Sequence, residues 1–324
     1  MNQGQLLRKK LFDRYSANLH LLHDNGLLPH LYLPHKQTFI CPVCLNPFSV
    51  DDLDTTKENH LTLEDVPPKS LGGKPTILTC KVCNNTAGQQ IDVQLFNRMF
   101  DIDKRKFIPG SNFHARFSQN GETTQGEVTV HDDGTIKVKQ SYKHNKNDKL
   151  DNFVSAISPS KGNPLMNIEF YPTKFSFKRL EVALLKSAYL QCFEKYGYAF
   201  ITDPIFDQVR GQIKNPDADI YPTKAWFLGP FKEENEGSHF VSNPALECVM
   251  SIFTLKSLSK RTFGVVLPIK DPEAIKVVAA FHASIALDLG QTAEFHRFDQ
   301  PRGYIANLEN IKEVLTFIEK LKAQ

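Results

Sequence analysis

The chain has 324 residues, enough for about two domains, and its 41% hydrophobic and 23% charged content is that of an ordinary globular protein. A formal net charge of +3 is mildly basic, which is compatible with a nucleic-acid partner without indicating one. The absence of any run of about 18 apolar residues excludes a membrane-crossing helix. Residues 1–26 also lack the uninterrupted apolar core of a signal peptide, so we expect a cytoplasmic protein.

The first quarter of the chain predicts a helix and then a short strand. Residues 5–24 carry apolar side chains at helical spacing, and Gly26 follows as a stop signal. The segment "TFICPVC" predicts a short strand that runs into a pair of cysteines. After a second cysteine pair, "NNTAGQQIDVQLFNRMF" predicts a further helix.

The next segment, residues 111–141, alternates apolar and polar residues, and the turn signals "QNG" and "HDDG" divide it. This pattern predicts an antiparallel meander. A lysine-rich stretch overlaps its end and is either a solvated edge or a phosphate-contacting patch for nucleic acid. Its members are Lys137, Lys139, Lys143, Lys146 and Lys149.

The remaining chain mixes helices and strands. Residues 177–197 predict a strong helix that ends at Gly197, and two further helices begin with Asp-Pro at Asp203 and Asp271. "RTFGVVLPI" predicts a buried strand, and residues 307–322 predict the last helix. We therefore expect an α+β protein.

Four of the six cysteines form two Cys-x-x-Cys pairs, Cys41 with Cys44 and Cys80 with Cys83. This spacing lets both thiolates of each pair converge on one Zn²⁺, and two pairs complete a tetrahedral site. With all four positions filled, the zinc is expected to be structural. Cys192 and Cys248 are expected to be buried core residues with free thiols.

The segment that carries both pairs resembles the HNH endonuclease family, in its zinc-bound ββα-metal (His-Me finger) form with four cysteine ligands. The resemblance rests on "CPVC", "LTLEDVPP", "SLGGK" and "CKVCNNTAGQQID" and covers about 50 residues. The resemblance does not extend to the C-terminal two-thirds, and sheet periodicity begins near residues 95–110. We therefore predict three parts: a lead-in with the first helix at 1–40, an HNH module at 41–95, and a C-terminal mixed α/β domain with the meander at 96–324. The role of the last part would be regulation or target recognition.

The resemblance also implies roles for three residues. Glu64 and Asn84 would bind a catalytic Mg²⁺ or Mn²⁺, since hard cations prefer oxygen ligands. Asp65 stands where the family has the general-base histidine. An aspartate is a weaker base by about 2.6 pKa units, and its negative charge opposes the approach of a phosphodiester.

Three consequences of Asp65 remain open at this point. The module is inactive and kept as a fold, or Asp65 joins Glu64 on the metal so that bound hydroxide attacks, or His60 supplies the base. His60 and Glu64 are four residues apart and share a face in a regular strand. Lys69 is a candidate phosphate contact beside Gly72 and Gly73, which predict a turn with positive φ.

Two functions follow. The first is a divalent-metal-dependent HNH endonuclease that cuts DNA, with a role in restriction or phage defence implied only by the resemblance. The alternative is a catalytically degenerate, zinc-stapled protein that binds nucleic acid or a protein partner. A third hypothesis is that the C-terminal region senses a ligand or a partner protein and gates the nuclease. DNA is the expected partner, a protein partner or a homo-oligomer is compatible with the sequence, and no membrane partner is expected.

Overall fold

The computed structural model describes residues 2–140, 145–157, 166–229, 231–242, 247–269, 294–296 and 304–323. The predicted lysine Lys143 and the predicted helix that begins at Asp271 lie outside these residues. The described chain is mixed α+β, and its sheets are antiparallel. Within the described parts, no helix is both long and apolar enough to cross a membrane.

The helices of the described residues lie before, between and after groups of strands. They are α1 (Gln3–Asp24), α2 (Lys81–Ala87), α3 (Val93–Arg105), α4 (Asn147–Ala156), α5 (Phe177–Tyr196), α6 (Tyr198–Ile201), α7 (Asp207–Lys214) and α8 (Leu308–Ala323). The strands are β1 (Phe39–Ile40), β2 (Pro47–Phe48), β3 (Leu61–Val66), β4 (Lys74–Cys80), β5 (Asn112–Gln119), β6 (Glu122–Val130), β7 (Ile136–Gln140), β8 (Asn167–Phe170), β9 (Trp226–Leu228), β10 (Gly237–Ser242), β11 (Cys248–Lys256), β12 (Lys260–Pro268) and β13 (Glu294–His296).

The chain divides into two compact units. The first contains residues 1–95, 176–256 and 261–324, and the second contains residues 96–175 and 257–260. Residues 96–324, expected from the sequence as one C-terminal domain, are therefore divided between the two units. Residues 96–175 form most of the second unit, and most of residues 176–324 belong to the same unit as residues 1–95.

The first unit is organised around α5. Its N-cap is Ser176, whose hydroxyl accepts a hydrogen bond from the Arg179 backbone, and it ends at Gly197, whose φ is +67°. Apolar residues occur on nearly every face of α5, as in a helix surrounded by protein, and fourteen of its twenty residues are buried. The helix contacts the β3–β4 hairpin as well as β10 and β11 of the five-stranded sheet.

The second unit contains the predicted meander. Strands β5, β6 and β7 pair antiparallel in sequence order, and β8 pairs with the other side of β5. Alternate residues of β5, which are Phe113, Ala115 and Phe117, face a small apolar core together with Phe153 of α4. The period of two in the sequence is thus the inward and outward alternation of a sheet that is buried on one face.

Candidate metal centre and hairpin site

The four paired cysteines converge at one point. Their sulfur atoms all lie within 4.8 Å of one another, and the Sγ atoms of Cys44 and Cys80 are 3.9 Å apart. A disulfide needs about 2 Å between sulfurs. A tetrahedral zinc ion with bonds of about 2.3 Å separates its sulfurs by about 3.8 Å. The cluster can therefore hold a metal ion such as zinc, and its spacing matches a metal centre rather than a disulfide pair.

Local backbone geometry builds each half of this centre. The Leu45 N–H donates to the Cys41 carbonyl at 2.9 Å, and Leu45 adopts a positive φ of 60°, which closes a tight turn around the first pair. In the second pair, Cys80 ends β4 and Cys83 lies in the first turn of α2. The Cys80 N–H donates to the Cys41 sulfur at 3.4 Å and so joins the two halves.

Residues from α5 and α6 hold the first cysteine pair in place. The Tyr189 hydroxyl donates to the Pro42 carbonyl at 2.6 Å, and the Tyr198 hydroxyl donates to the Ile40 carbonyl at 2.7 Å. Both tyrosines are fully buried. The metal centre is therefore part of the core of the first unit.

Between the two cysteine pairs, β3 and β4 form an antiparallel hairpin that continues directly into α2. Its register shifts between Glu64, which pairs with Ile77, and Asp65, which pairs with Pro75, so Thr76 is an extra residue of β4. Such a bulge alters the direction of neighbouring side chains. The segments identified from sequence as strand, turn and cysteine-bearing helix thus occur in that order.

Glu64 is buried and both of its carboxylate oxygens are engaged. Lys186 Nζ, from the middle of α5, donates to Oε1 at 2.8 Å, and the Thr79 hydroxyl donates to Oε2 at 2.8 Å. The side chains of Glu64 and Lys186 are 5% and 2% exposed. Glu64 is therefore one half of a buried ion pair that joins the hairpin to α5.

Asp92 completes this group, because Lys186 Nζ also donates to Asp92 Oδ2 at 2.7 Å. Burial alone would lower the pKa of Lys186, but the charges of Glu64 and Asp92 outweigh it and raise that pKa. Burial, followed by the charge of Glu64, raises the pKa of Asp92. With both carboxylates ionised, one ammonium balances only half of their charge, and Asp92 Oδ1 is buried without a hydrogen-bond partner among the described residues.

Asn84 ties the start of α2 to β3. Its side-chain nitrogen donates to the Leu63 carbonyl and to the Thr62 hydroxyl, both at 2.9 Å. A carbonyl can only accept a hydrogen bond, so the nitrogen end of the amide must face it. Thr62 and Glu64 are two residues apart in β3 and share a face, which places Asn84 on the Glu64 side of the hairpin.

The divalent cation that the resemblance implies does not fit this arrangement at Glu64. Mg²⁺ and Mn²⁺ bind through oxygen atoms that are free to coordinate them. Each oxygen of Glu64 already accepts a hydrogen bond, one from Lys186 and one from Thr79, and the Lys186 ammonium lies where a cation bound at Oε1 would compete with it. From the sequence we expected Glu64 and Asn84 to bind Mg²⁺ or Mn²⁺ together. In the structure, the Glu64 carboxylate is instead paired with the Lys186 ammonium.

Asp65 has a different environment from Glu64. Its side chain is partly exposed and makes no hydrogen bond with the residues that the structure describes. Burial raises its pKa, and the adjacent charge of Glu64 adds to the rise, while Lys69 and Lys186 oppose it. Asp65 is thus a better proton acceptor than an ordinary aspartate, although it remains an acid at the position where the family has histidine.

His60 is buried and fixed in place just before β3. Its ring nitrogen Nδ1 lies 2.8 Å from the Lys57 carbonyl, so this nitrogen carries the proton and donates it. The His60 carbonyl accepts the Lys81 N–H at 2.8 Å, which extends the hairpin ladder. The described contacts of His60 are structural, and none of them joins its ring to Glu64 or Asp65.

The turn between β3 and β4 carries a group of exposed lysines. Lys69 lies in the turn, Lys74 pairs with Val66 at the first residue of β4, and Lys256 ends β11. A side-chain carbon added to Gly72 would lie 2.8 Å from the Lys256 Cβ, so Lys256 is next to the turn. None of the three forms an ion pair with the described residues. We call Lys69, Lys74 and Lys256 the hairpin-tip lysines.

The two glycines of the turn are required for different reasons. Gly72 has the predicted positive φ, at +90°. Gly73 does not, but a side-chain carbon there would lie 1.5 Å from the Pro67 carbonyl oxygen. The turn is thus closed so tightly that only hydrogen fits at residue 73.

Lys137 and Lys139 lie on the outward face of β7, in the second unit. Lys139 pairs with Glu127 of β6, and Arg116 of β5 forms an ion pair with Glu169 of β8. Acidic and basic residues thus alternate across this face, while the aromatic residues of β5 point inward. The described strands β5–β8 place no Phe, Tyr or Trp on this face, and single-stranded bases stack on such residues.

Sequence reasoning did not identify Lys186 or Lys256 as site residues. Lys186 lies 122 positions from Glu64 in a helix whose pattern indicates only packing. A lysine within that apolar pattern was the one available signal, because a buried lysine requires an acidic partner. Comparison of the chain with protein-family models, with curated proteins and with solved structures gave no match.

Proposed function

We propose that the four cysteines hold a structural zinc ion, and that the hairpin they stabilise is an HNH-type ββα module that binds DNA without cutting it. The observation that carries this proposal is the group of three hairpin-tip lysines beside a closed glycine turn. Exposed lysines attract phosphate groups, and binding releases the counterions of the DNA.

The zinc explains why so small a hairpin can present these lysines in a fixed arrangement. The β3–β4 hairpin alone is a two-stranded sheet, which is marginally stable in water. The hairpin is held by four thiolates, two from the turn at Cys41 and Cys44, one from the end of β4 and one from the first turn of α2. Helix α5 packs against one side of the hairpin. Lys69 and Lys74 thus extend from a rigid turn rather than a mobile loop.

Two features support binding rather than cleavage. The carboxylate at the metal-ligand position, Glu64, is neutralised by Lys186. The residue at the base position, Asp65, is an acid. A phosphodiester at the hairpin tip would therefore meet lysines but neither the cation nor the imidazole that the family uses for hydrolysis.

The test is the salt dependence of binding to a labelled DNA duplex, measured by fluorescence anisotropy in EDTA. If the three lysines contact phosphates, Lys69→Ala/Lys74→Ala/Lys256→Ala should reduce the slope of log K against log salt by about 3. The matched control is Lys137→Ala/Lys139→Ala, which should change the slope by less than about 1. Equal slopes for the wild type and the triple variant would refute the proposed surface.

An endonuclease is a second candidate function, and the environment of Asp65 favours it. Its carboxylate is partly exposed, lies next to Glu64 and has a raised pKa, which are the properties of a general base. In that case the wild type would nick plasmid DNA, and Asp65→Ala would not. Nicking that persists in Asp65→Ala would exclude Asp65 as the base.

A further inference from the structure

The Lys186 ammonium occupies a position between two carboxylates that a metal ion could also occupy. Its nitrogen lies 2.8 Å from Glu64 Oε1 and 2.7 Å from Asp92 Oδ2. The two carboxylates come from β3 and from the one-turn π-helix Gly88–Asp92, and the lysine comes from α5. Three separate segments thus meet at one positive charge.

We propose that Lys186 is a built-in cation that replaces a divalent metal ion at Glu64 and Asp92, and that these two carboxylates bind Mg²⁺ or Mn²⁺ once the ammonium is removed. This inference does not depend on DNA binding. Lys186 belongs to α5, outside the HNH-like segment, and it controls whether that segment binds a divalent metal ion.

The charge balance of the group supports this inference. The buried carboxylate of Glu64 and the partly buried carboxylate of Asp92 share one ammonium, so the group as a whole carries a net negative charge when both are ionised. Asp92 Oδ1 is also buried without a hydrogen-bond partner among the described residues, so the ammonium leaves one oxygen of the group unsatisfied. A divalent ion would neutralise both carboxylates, whereas the ammonium neutralises one.

The packing of the group also supports it. Thr79 holds the second oxygen of Glu64, so Oε1 is already oriented toward the position of the ammonium. Residues that orient a ligating carboxylate are characteristic of metal sites. A methionine at position 186 would keep the apolar stem and leave the space of the ammonium to an ion and water, which Mg²⁺ and Mn²⁺ retain.

The experiment uses the zinc-loaded full chain without DNA, and the probe is Mn²⁺ alone. Free Mn²⁺ is measured by electron paramagnetic resonance during titration of the wild type, Lys186→Met and Lys186→Met/Glu64→Gln. Lys186→Met should bind one Mn²⁺ at least about tenfold more tightly than the other two proteins, and Mn²⁺ should raise its melting temperature but not that of the wild type.

Two results would overturn the inference. One is equal Mn²⁺ binding by the wild type and Lys186→Met. The other is equal Mn²⁺ binding by Lys186→Met and Lys186→Met/Glu64→Gln, because Glu64 would then not be a ligand of the ion. If Lys186→Met does not fold in buffer, Lys186→Met and Lys186→Gln are each refolded in the presence of Mn²⁺. Failure of both variants to fold with the ion also contradicts the inference.

Discussion

Lys186 Nζ lies 2.8 Å from the Glu64 carboxylate although the two residues are 122 positions apart in the chain. This ion pair, together with the Tyr189 hydrogen bond to the Pro42 carbonyl, connects the hairpin segment to α5. Residues 41–95 are therefore not an appended module with a core of their own. Their site is completed by a helix that begins more than 80 residues later.

We expect Lys186→Met to destabilise the protein by about 3–5 kcal/mol, because it leaves Glu64 and Asp92 buried without a cation. The measurement is urea denaturation at neutral pH without divalent metal. The matched control is Lys178→Met in the same helix. Lys178 pairs with the exposed Asp219, and loss of an exposed pair costs at most about 1 kcal/mol.

The cost of Lys186→Met should also depend on pH. Burial raises the pKa of Asp92 above its unfolded value even beside the ammonium, and loss of the ammonium removes the charge that opposes this rise, so stability falls as pH rises through that window. The destabilisation should thus shrink as the pH is lowered toward about 4. A cost that is the same at every pH would mean that lost packing, rather than unpaired charge, explains the variant.

We expect Asp65→Asn to stabilise the protein at neutral pH. The pKa of Asp65 is raised in the folded state by burial and then by the charge of Glu64, so the wild type loses stability as pH rises from the unfolded to the folded pKa. Asparagine removes this loss. Because Asp65 is partly exposed, solvent screening keeps the gain below about 1 kcal/mol. Thermal melts at about pH 3.5 and at pH 7 provide the check, with a gain expected only at the higher pH.

Removal of the metal should unfold the cysteine-bearing part of the chain. Structural zinc sites of this kind contribute about 10–16 kcal/mol of apparent binding free energy. Cys80→Ser should therefore lose bound zinc and cooperative unfolding, whereas Cys192→Ser should keep the metal, because Cys192 is buried elsewhere in α5. The measurements are the zinc content and the thermal unfolding curve of each variant. A fully folded, zinc-free Cys80→Ser protein would contradict a structural role for the metal.

The two departures from the HNH pattern should be reversible together. Lys186→Met frees the carboxylate that the proposed HNH resemblance assigns to a metal ligand, and Asp65→His places an imidazole where the same resemblance assigns the base. We expect the double variant to nick plasmid DNA in Mn²⁺ and each single variant to show much less nicking. The control adds Glu64→Gln to the double variant and should abolish nicking. Nicking that persists in this triple variant would not depend on the Glu64 carboxylate.

The sequence alone predicted the local elements with a short-range signal. The meander, the helix before Gly197 and the paired cysteines each depend on residues that are close in the chain. The division into units has no such signal, because residues 176–256 join residues 1–95 through packing that no local sequence pattern reveals.

The same limit applies to the site. Glu64, Asp65 and Asn84 could be singled out because one short motif contains them. The states of their side chains depend on Lys186, Thr79 and the register shift beside Glu64, which are tertiary features. A motif identifies which residues are present in a site, but the partners of a carboxylate decide whether it can bind a metal.

The most direct test of this account is incubation of supercoiled plasmid with the zinc-loaded wild-type protein in Mg²⁺ and in Mn²⁺. One half of each sample is run as a binding assay, and the other half is run after removal of the protein. The account predicts a salt-sensitive mobility shift and unbroken plasmid with either ion. Nicking by the wild type that disappears in both Asp65→Ala and Glu64→Gln would contradict it.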